Sequence, residues 1–204
     1  DQPRSRGLGD VYKRQYVDSG VWKLVLQGIN VKNGDYFLWL PGGKTLNPGT
    51  GFYLPRVQGT LTIPATARRL ISVGAYDSRL LSYAAFSGRG SSELPYGKPD
   101  LTAPGVGITA PRIGGDYGSY TGTSFAVPFV SGSAALLMEW GIIKGNDPYL
   151  YGEKVKAYLR RGARPLPEYK QYPNYEVGWG ALCVTQSLPQ ERIAPSTDRI
   201  SPVT

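Results

Sequence analysis

Residues 120–137 run YTGTSFAVPFVSGSAALL, and their reading decides the fold. A glycine-containing loop gives way to a long apolar run, which predicts a helix over about Ser124 to Trp140. Ala126, Val127, Phe129, Val130, Ala134, Ala135, Leu136, Leu137 and Met138 would cover nearly its whole circumference. A helix apolar all round is expected to be buried. Its first turn carries N–H groups without partners and the positive end of the helix dipole, where oxygen anions are stabilised. The Ser124 hydroxyl would therefore lie beside donors suited to a tetrahedral oxyanion. Gly122 and Ala126 are small enough to leave room for a substrate backbone. Pro128 costs little so near a helix start, where early N–H groups have no intrahelical acceptor. On position alone the commoner role of such a serine is an N-cap. The neighbouring sequence has to decide.

Outward toward the N-terminus, Leu70 to Ala75 (LISVGA) is a short apolar run of the kind found in buried parallel strands. A second short strand is expected near Asp100-Leu101-Thr102-Ala103. Before Ala65 the character is different. Val21 to Val31 and Asp35 to Leu40 are rich in Val, Ile, Leu, Trp and Tyr. Lys32-Asn33-Gly34 between them supplies a hairpin turn. Trp22, Leu24 and Leu26 alternate with Lys23 and Gln27, as on a strand with one apolar face. Thr60-Leu61-Thr62-Ile63 reads as a last strand before Pro64. Residues 16–64 are thus expected to be antiparallel β, too small for a whole sandwich.

Outward toward the C-terminus, a second helix is expected after Asp147 as cap and Pro148 as first residue, ending at Gly162. Tyr151, Val155, Tyr158 and Leu159 form its apolar stripe, and Arg160 and Arg161 suit its negative end. Lys154, Lys156, Arg160, Arg161 and Arg164 make the one tight cationic cluster, expected to be a solvated face rather than the seat of an anionic partner. Residues 189–204 are polar and expected to be mobile.

Residues 1–15 (DQPRSRGLGDVYKRQ) show neither helical nor strand period. They resemble translated adapter sequence from assembled reads and are set aside as artefact or disordered terminus. They hold four cations and two anions, so without them the net charge falls from +8 to +6. The expectation is a protein that extends upstream, of which this is the C-terminal portion.

The full chain has 204 residues, of which 41% are hydrophobic and 19% charged, so a packed core is expected. With 27 glycines and 17 prolines, a turn-rich fold containing strands is favoured over a helix bundle. One cysteine forbids an internal disulfide, and Cys183 reads as a small buried apolar residue. Histidine is absent, which rules out a complete Ser-His-Asp or Cys-His site and any His-ligated metal within these residues. No nucleic-acid motif accompanies the basic charge, and no phosphate-binding Gly-Lys-Ser/Thr loop is present. Asp77 and Asp116 lack the neighbouring oxygen ligands of a calcium loop, so no metal or other cofactor is expected. Residues 117–138 are free of charge, but their glycines, Pro128 and hydroxyl residues favour a loop and a buried helix over a membrane span.

The longer pattern resembles the catalytic-serine motif of subtilisin-like serine peptidases, Gly-Thr-Ser-x-Ala-x-Pro-x-Val-x-Gly. Gly122, Thr123, Ser124, Ala126, Pro128, Val130 and Gly132 all match. Two upstream blocks match in the right order: Leu70 to Ala75 followed by Ala85-Phe86-Ser87, and Lys98 to Val106 (KPDLTAPGV). The resemblance covers about residues 65–185. A narrower likeness, to clostridial and germination-specific members with a jelly-roll insert, rests on residues 16–64, on Tyr172-Pro173-Asn174 and on Gly178 to Cys183.

The resemblance implies an α/β fold. An incomplete subtilisin-like parallel sheet with a buried catalytic-serine helix occupies residues 65–188, after the end of a jelly-roll-like insert over 16–64. It implies Ser124 as nucleophile, its own N–H as an oxyanion donor, and Gly122, Thr123 and Phe125 against the substrate, with a core contact an equal reading for Phe125. The family's Asp and His would lie upstream, as would its oxyanion asparagine, since Asn30, Asn33 and Asn47 read as turn or strand-end residues. Phe129 stands where the family often has a non-catalytic histidine. Asp100 is expected to fix loop backbone. The implied partner is a peptide or protein substrate, and the implied location is secreted, cell-envelope or spore-associated. A pseudoprotease on the same scaffold remains open. A binding module built on residues 16–64 alone leaves the Ser124 segment unexplained, and the Lys98 to Val106 block argues against a sedolisin-type peptidase.

Overall fold

The computed structural model describes residues 18–32, 34, 36, 38–41, 46–92 and 97–189. The expected artefact over 1–15, the hairpin residue Asn33 and all but the first residue of the expected tail lie outside them. The chain divides into two units after Leu38.

In the first unit, the strand expected over 21–31 is not formed. Trp22, Leu24, Val25 and Leu26 are exposed. A two-stranded hairpin is marginal in water unless further strands or a helix cover its apolar side. Residues 21–31 have the alternation of a strand, but among the described residues no strand pairs with them.

In the second unit the apolar run after Leu70 becomes β1 (Val73–Asp77), paired in parallel with β3 (Leu101–Pro104) in the register Val73 to Leu101 and Ala75 to Ala103. The two-residue β2 (Ser82–Tyr83) flanks β1 antiparallel, giving the order β2-β1-β3. Along the outer side of β3, Thr102 N–H donates to Gly180 O at 2.9 Å and Leu182 N–H donates to Thr102 O at 2.8 Å. Ala181 in turn exchanges both bonds with Arg164. The sheet thus has its backbone groups paired on that side as well. The strand expected at Thr60 to Ile63 is replaced by a docked segment: Gly59 and Thr60 N–H donate to Gly90 and Arg89 carbonyls at 3.0 and 2.9 Å, and Leu61 is buried.

A separate hairpin, β4 (Ile108–Arg112) and β5 (Asp116–Tyr120), leads into α1 (Thr123–Met138). A π-helical turn, Glu139–Ile143, prolongs α1. The all-round burial expected of this helix is not found. Ala126, Val130, Ser133 and Leu137 form the buried stripe, spaced at one helical face, while Val127, Phe129, Leu136 and Met138 are exposed. The helix lies on one side of a three-stranded sheet, and among the described residues no second layer covers its outer face. The helical stretch Thr123–Ile143, 21 residues with mean hydropathy 1.5, is long and apolar enough by composition to cross a bilayer. Its inner stripe instead joins Ala75, Leu101, Ala103, Val155 and Leu159 in one core. Leu101, Leu137 and Leu159 are fully buried, each contributing about 1.5–3 kcal/mol by leaving water.

The second expected helix is α2 (Gly152–Arg161), and a short α3 (Val184–Ser187) follows. Tyr151, not Asp147, is its N-cap, and Tyr151 is exposed rather than part of the stripe. The Asp147 carboxylate instead accepts from Lys154 Nζ at 2.6 Å and Tyr158 Oη at 2.8 Å.

The expected solvated face of α2 is also corrected. Lys156 and Arg160 turn inward onto Asp100, which is fully buried with Lys98. Asp100 Oδ2 accepts from Lys98 Nζ at 2.6 Å and from Ser72 N–H at 2.7 Å. Its Oδ1 faces Lys156 Nζ at 3.2 Å and accepts from Arg160 Nη2. Asp100 therefore fixes the Ser72 backbone, as expected, and also ties α2 to the start of β3. Burial pushes the Lys98 ammonium below its ordinary value, against the opposing hydrogen bond to Asp100.

Candidate active site

The turn between β5 and α1 is built from Thr121 and Gly122. Gly122, at φ 156° and ψ 157°, a backbone conformation that residues with side chains rarely adopt, is the N-cap of α1 and makes no side-chain capping bond. Ser124 is the second residue of the helix, and its side chain is exposed. Ser124 is therefore not the N-cap. Its N–H belongs to the first turn, where no carbonyl four residues earlier is available within the helix.

One hydrogen bond closes this turn on itself and two hold it to the segment that follows β3. Gly122 N–H donates to Gly105 O at 2.8 Å, and Phe125 N–H donates to Gly122 O at 3.1 Å. Gly107 N–H donates to Thr121 Oγ1 at 3.0 Å. Gly105 N–H reaches back to Tyr76 O at 3.1 Å, so β1, Gly105 and Gly122 form one chain of contacts. Only glycine fits at 105: a Cβ there would lie 2.6 Å from Ala75 Cβ and 3.1 Å from Gly122 O.

Thr123 lines a cavity of about 510 Å³, together with Val57, Leu61, Val73, Phe86 and Arg89 among others. The cavity reaches the residue before Ser124, and its lining mixes apolar side chains with polar and cationic ones. Phe125 is half-buried, its ring stacked on Tyr120. The four residues named from the sequence, Gly122, Thr123, Ser124 and Phe125, thus lie consecutively across the turn and the first helical residues. Asp77 and Asp116 stand elsewhere with cationic partners. Asp77 accepts from Arg79 N–H at 2.9 Å, which holds its carboxyl below the ordinary range, and Asp116 pairs with Arg112 at 3.1 Å.

Two residues that shape the turn carry no individual mark in the sequence. Gly105 lies in the block that matched by pattern, and nothing in a pattern tells which glycine makes the close approach. Tyr120 lies in the quoted stretch, but its ring contact with Phe125 spans a turn whose geometry no periodicity encodes.

A model of the subtilase family matches residues 55–180. The serine protease AprX of Bacillus subtilis is 30% identical over 150 residues, 64% of this chain and 32% of its own length. Subtilisin of Bacillus pumilus is 46% identical over 79 residues, 39% of this chain and 26% of its own length. Among solved structures, the Clostridium perfringens CspB protease is 46% identical with a TM-score of 0.66, covering 70% of this chain and 30% of that one. This chain spans about a third or less of the length of these relatives. The clostridial likeness read from the sequence agrees with the CspB match.

Proposed function

This chain belongs to the subtilase family, and we propose on that premise that it serves peptide-bond hydrolysis through an acyl-enzyme on Ser124. Ser124 Oγ attacks the scissile carbonyl carbon and gives its proton to a general base. The carbonyl oxygen becomes an oxyanion, to which the Ser124 N–H donates. As the C–N bond breaks, the base passes the proton to the leaving amine. Water then hydrolyses the Ser124 ester by the same route in reverse. Gly122 and Thr123 flank the substrate backbone, and the cavity beside Thr123 is open to a substrate side chain.

The family's base is a histidine, and the 204 residues contain none. The base and its Asp partner are therefore assigned to sequence outside these residues. By themselves these residues are expected to be nearly inactive, since loss of the base from a triad costs several orders of magnitude in rate.

The observation that carries this reading is the exposed, non-capping Ser124 at the second position of α1, on a turn pinned to the sheet through Gly105. The test is Ser124→Ala in the full-length gene product, followed by peptide-ester hydrolysis and thermal melting. The expected result is a fall in kcat of roughly 10⁶-fold, the scale known from a subtilisin triad, with an unchanged melting temperature. A variant within tenfold of the parent would overturn the assignment.

A further inference from the structure

We propose that the stacked pair Tyr120 and Phe125 is a positioning device for Ser124, an inference that rests on Ser124 being the nucleophile. Tyr120 is the last residue of β5, and Phe125 is the third residue of α1. Their ring centroids are 5.0 Å apart and their planes 14° from parallel. The rings join the two arms of the turn that carries Thr121, Gly122, Thr123 and Ser124.

That turn needs an added restraint. Its N-cap is a glycine with no side chain to bond the first-turn amides, so the usual device for fixing a helix start is missing. The backbone bonds hold Gly122, but Ser124 itself is exposed. The side chain next to Ser124 along the helix is the one that is tied down, through its ring on Tyr120.

A second observation places Tyr120 itself. A Cβ built on Gly118 would lie 3.1 Å from Cε2, Cζ and Oη of the Tyr120 ring. The ring therefore folds back over the bare backbone of Gly118, two residues earlier on the same strand face. It lies against Gly118 and stacks on Phe125. Offset stacking of this kind adds to simple burial and fixes ring orientation. Because Phe125 follows Ser124 directly, fixing its ring restrains the rotation of the first helical turn, and with it the direction of Ser124 Oγ. Misplacement of a nucleophile lowers the rate of bond formation without lowering substrate affinity.

The test uses the full-length gene product and four variants: Tyr120→Ala, Tyr120→Phe, Phe125→Ala and the double alanine variant. For each, kcat and KM on a peptide ester, the limiting rate of phosphonylation by a fluorophosphonate, and the melting temperature are measured. Each single alanine variant is expected to lower kcat and the limiting phosphonylation rate about tenfold, with KM within about twofold. Tyr120→Phe is expected to rescue the rate lost in Tyr120→Ala, since it keeps the ring. The double variant is expected to be no slower than the worse single one. If the alanine variants do not fold, Gly118→Ala, which pushes on the Tyr120 ring, is expected to show the same selective loss of rate. Losses that multiply in the double variant, that fall on KM, or that Tyr120→Phe does not rescue overturn the device while leaving Ser124 as nucleophile. A parent protein that the probe fails to label at Ser124 overturns both.

Discussion

At the scale of single residues, the site depends on one glycine as much as on its serine. Gly105 accepts from Gly122 and donates to Tyr76, and it does so in a space where a methyl group would meet Ala75 at 2.6 Å. Gly105→Ala is expected to cost about 1–3 kcal/mol of stability through overpacking. It is also expected to lower activity more than that stability loss explains, because the displaced partner is the backbone of the Ser124 turn. Parallel melting and kinetic measurements would check this; a variant with full kcat and a lowered melting temperature would contradict it. Ser124 stood out in the sequence through the resemblance of the residues around it to a family motif; position alone favoured an N-cap, a place that Gly122 takes in the structure. Gly105 was legible only as part of a block. Its role is a contact between segments far apart in the chain, and local pattern does not record such contacts.

A residue-scale pH dependence belongs to Asp147. Lys154 Nζ and the Tyr158 hydroxyl donate to its carboxylate and hold it below its ordinary value of 3.8. A carboxyl whose folded value is lowered adds stability that is fully present above the unfolded value. That stability disappears as the pH falls through the lowered folded value. Melting of the parent and of Asp147→Asn from pH 7 downward is expected to show a gap that closes only in the acid range below 3.8. A gap constant across the titration would mean that the ion pair contributes nothing.

At the scale of elements, α2 is held to the sheet by a buried carboxylate as well as by its apolar stripe. Asp100 faces Lys98, Lys156 and Arg160. Asp100→Asn would leave three cations facing one another with no counter-charge. The expected loss is about 3–5 kcal/mol, the cost of stranding charge in a buried site, and denaturant unfolding would measure it. A loss under about 1 kcal/mol would place these cations in effective contact with water. The cluster on α2 read as a solvated face because helical spacing puts Lys154, Lys156, Arg160 and Arg161 among polar positions. What the sequence could not supply was Asp100 beneath them, on a strand start more than fifty positions away. The parallel pair β1 and β3, by contrast, was legible from their short apolar runs, because strands buried on both faces carry no alternation to misread. The strand expected over 21–31 had the right alternation but no pairing strand among the described residues, and alternation by itself did not make a strand.

At the scale of the whole molecule, the described residues carry more apolar surface than they cover among themselves. The outer face of α1 shows Val127, Phe129, Leu136 and Met138, and residues 18–32 expose Trp22, Leu24 and Leu26. Large apolar side chains exposed in this number favour association or aggregation. Residues 16–204 expressed by themselves are expected to be poorly soluble. A soluble monomer with a sharp cooperative melt, checked by sedimentation and calorimetry, would contradict that. The overall architecture was readable because three ordered blocks constrain a family fold. The degree of burial of α1 was not, because composition gives a helix its apolar faces but not the layers that meet them.

The most direct test of the Ser124 assignment is to treat the folded full-length gene product with a fluorophosphonate and map the adduct by peptide mass spectrometry. The account predicts one stoichiometric adduct, on the Ser124 hydroxyl, absent in Ser124→Ala. An adduct on another residue, or none in a folded sample, would contradict it.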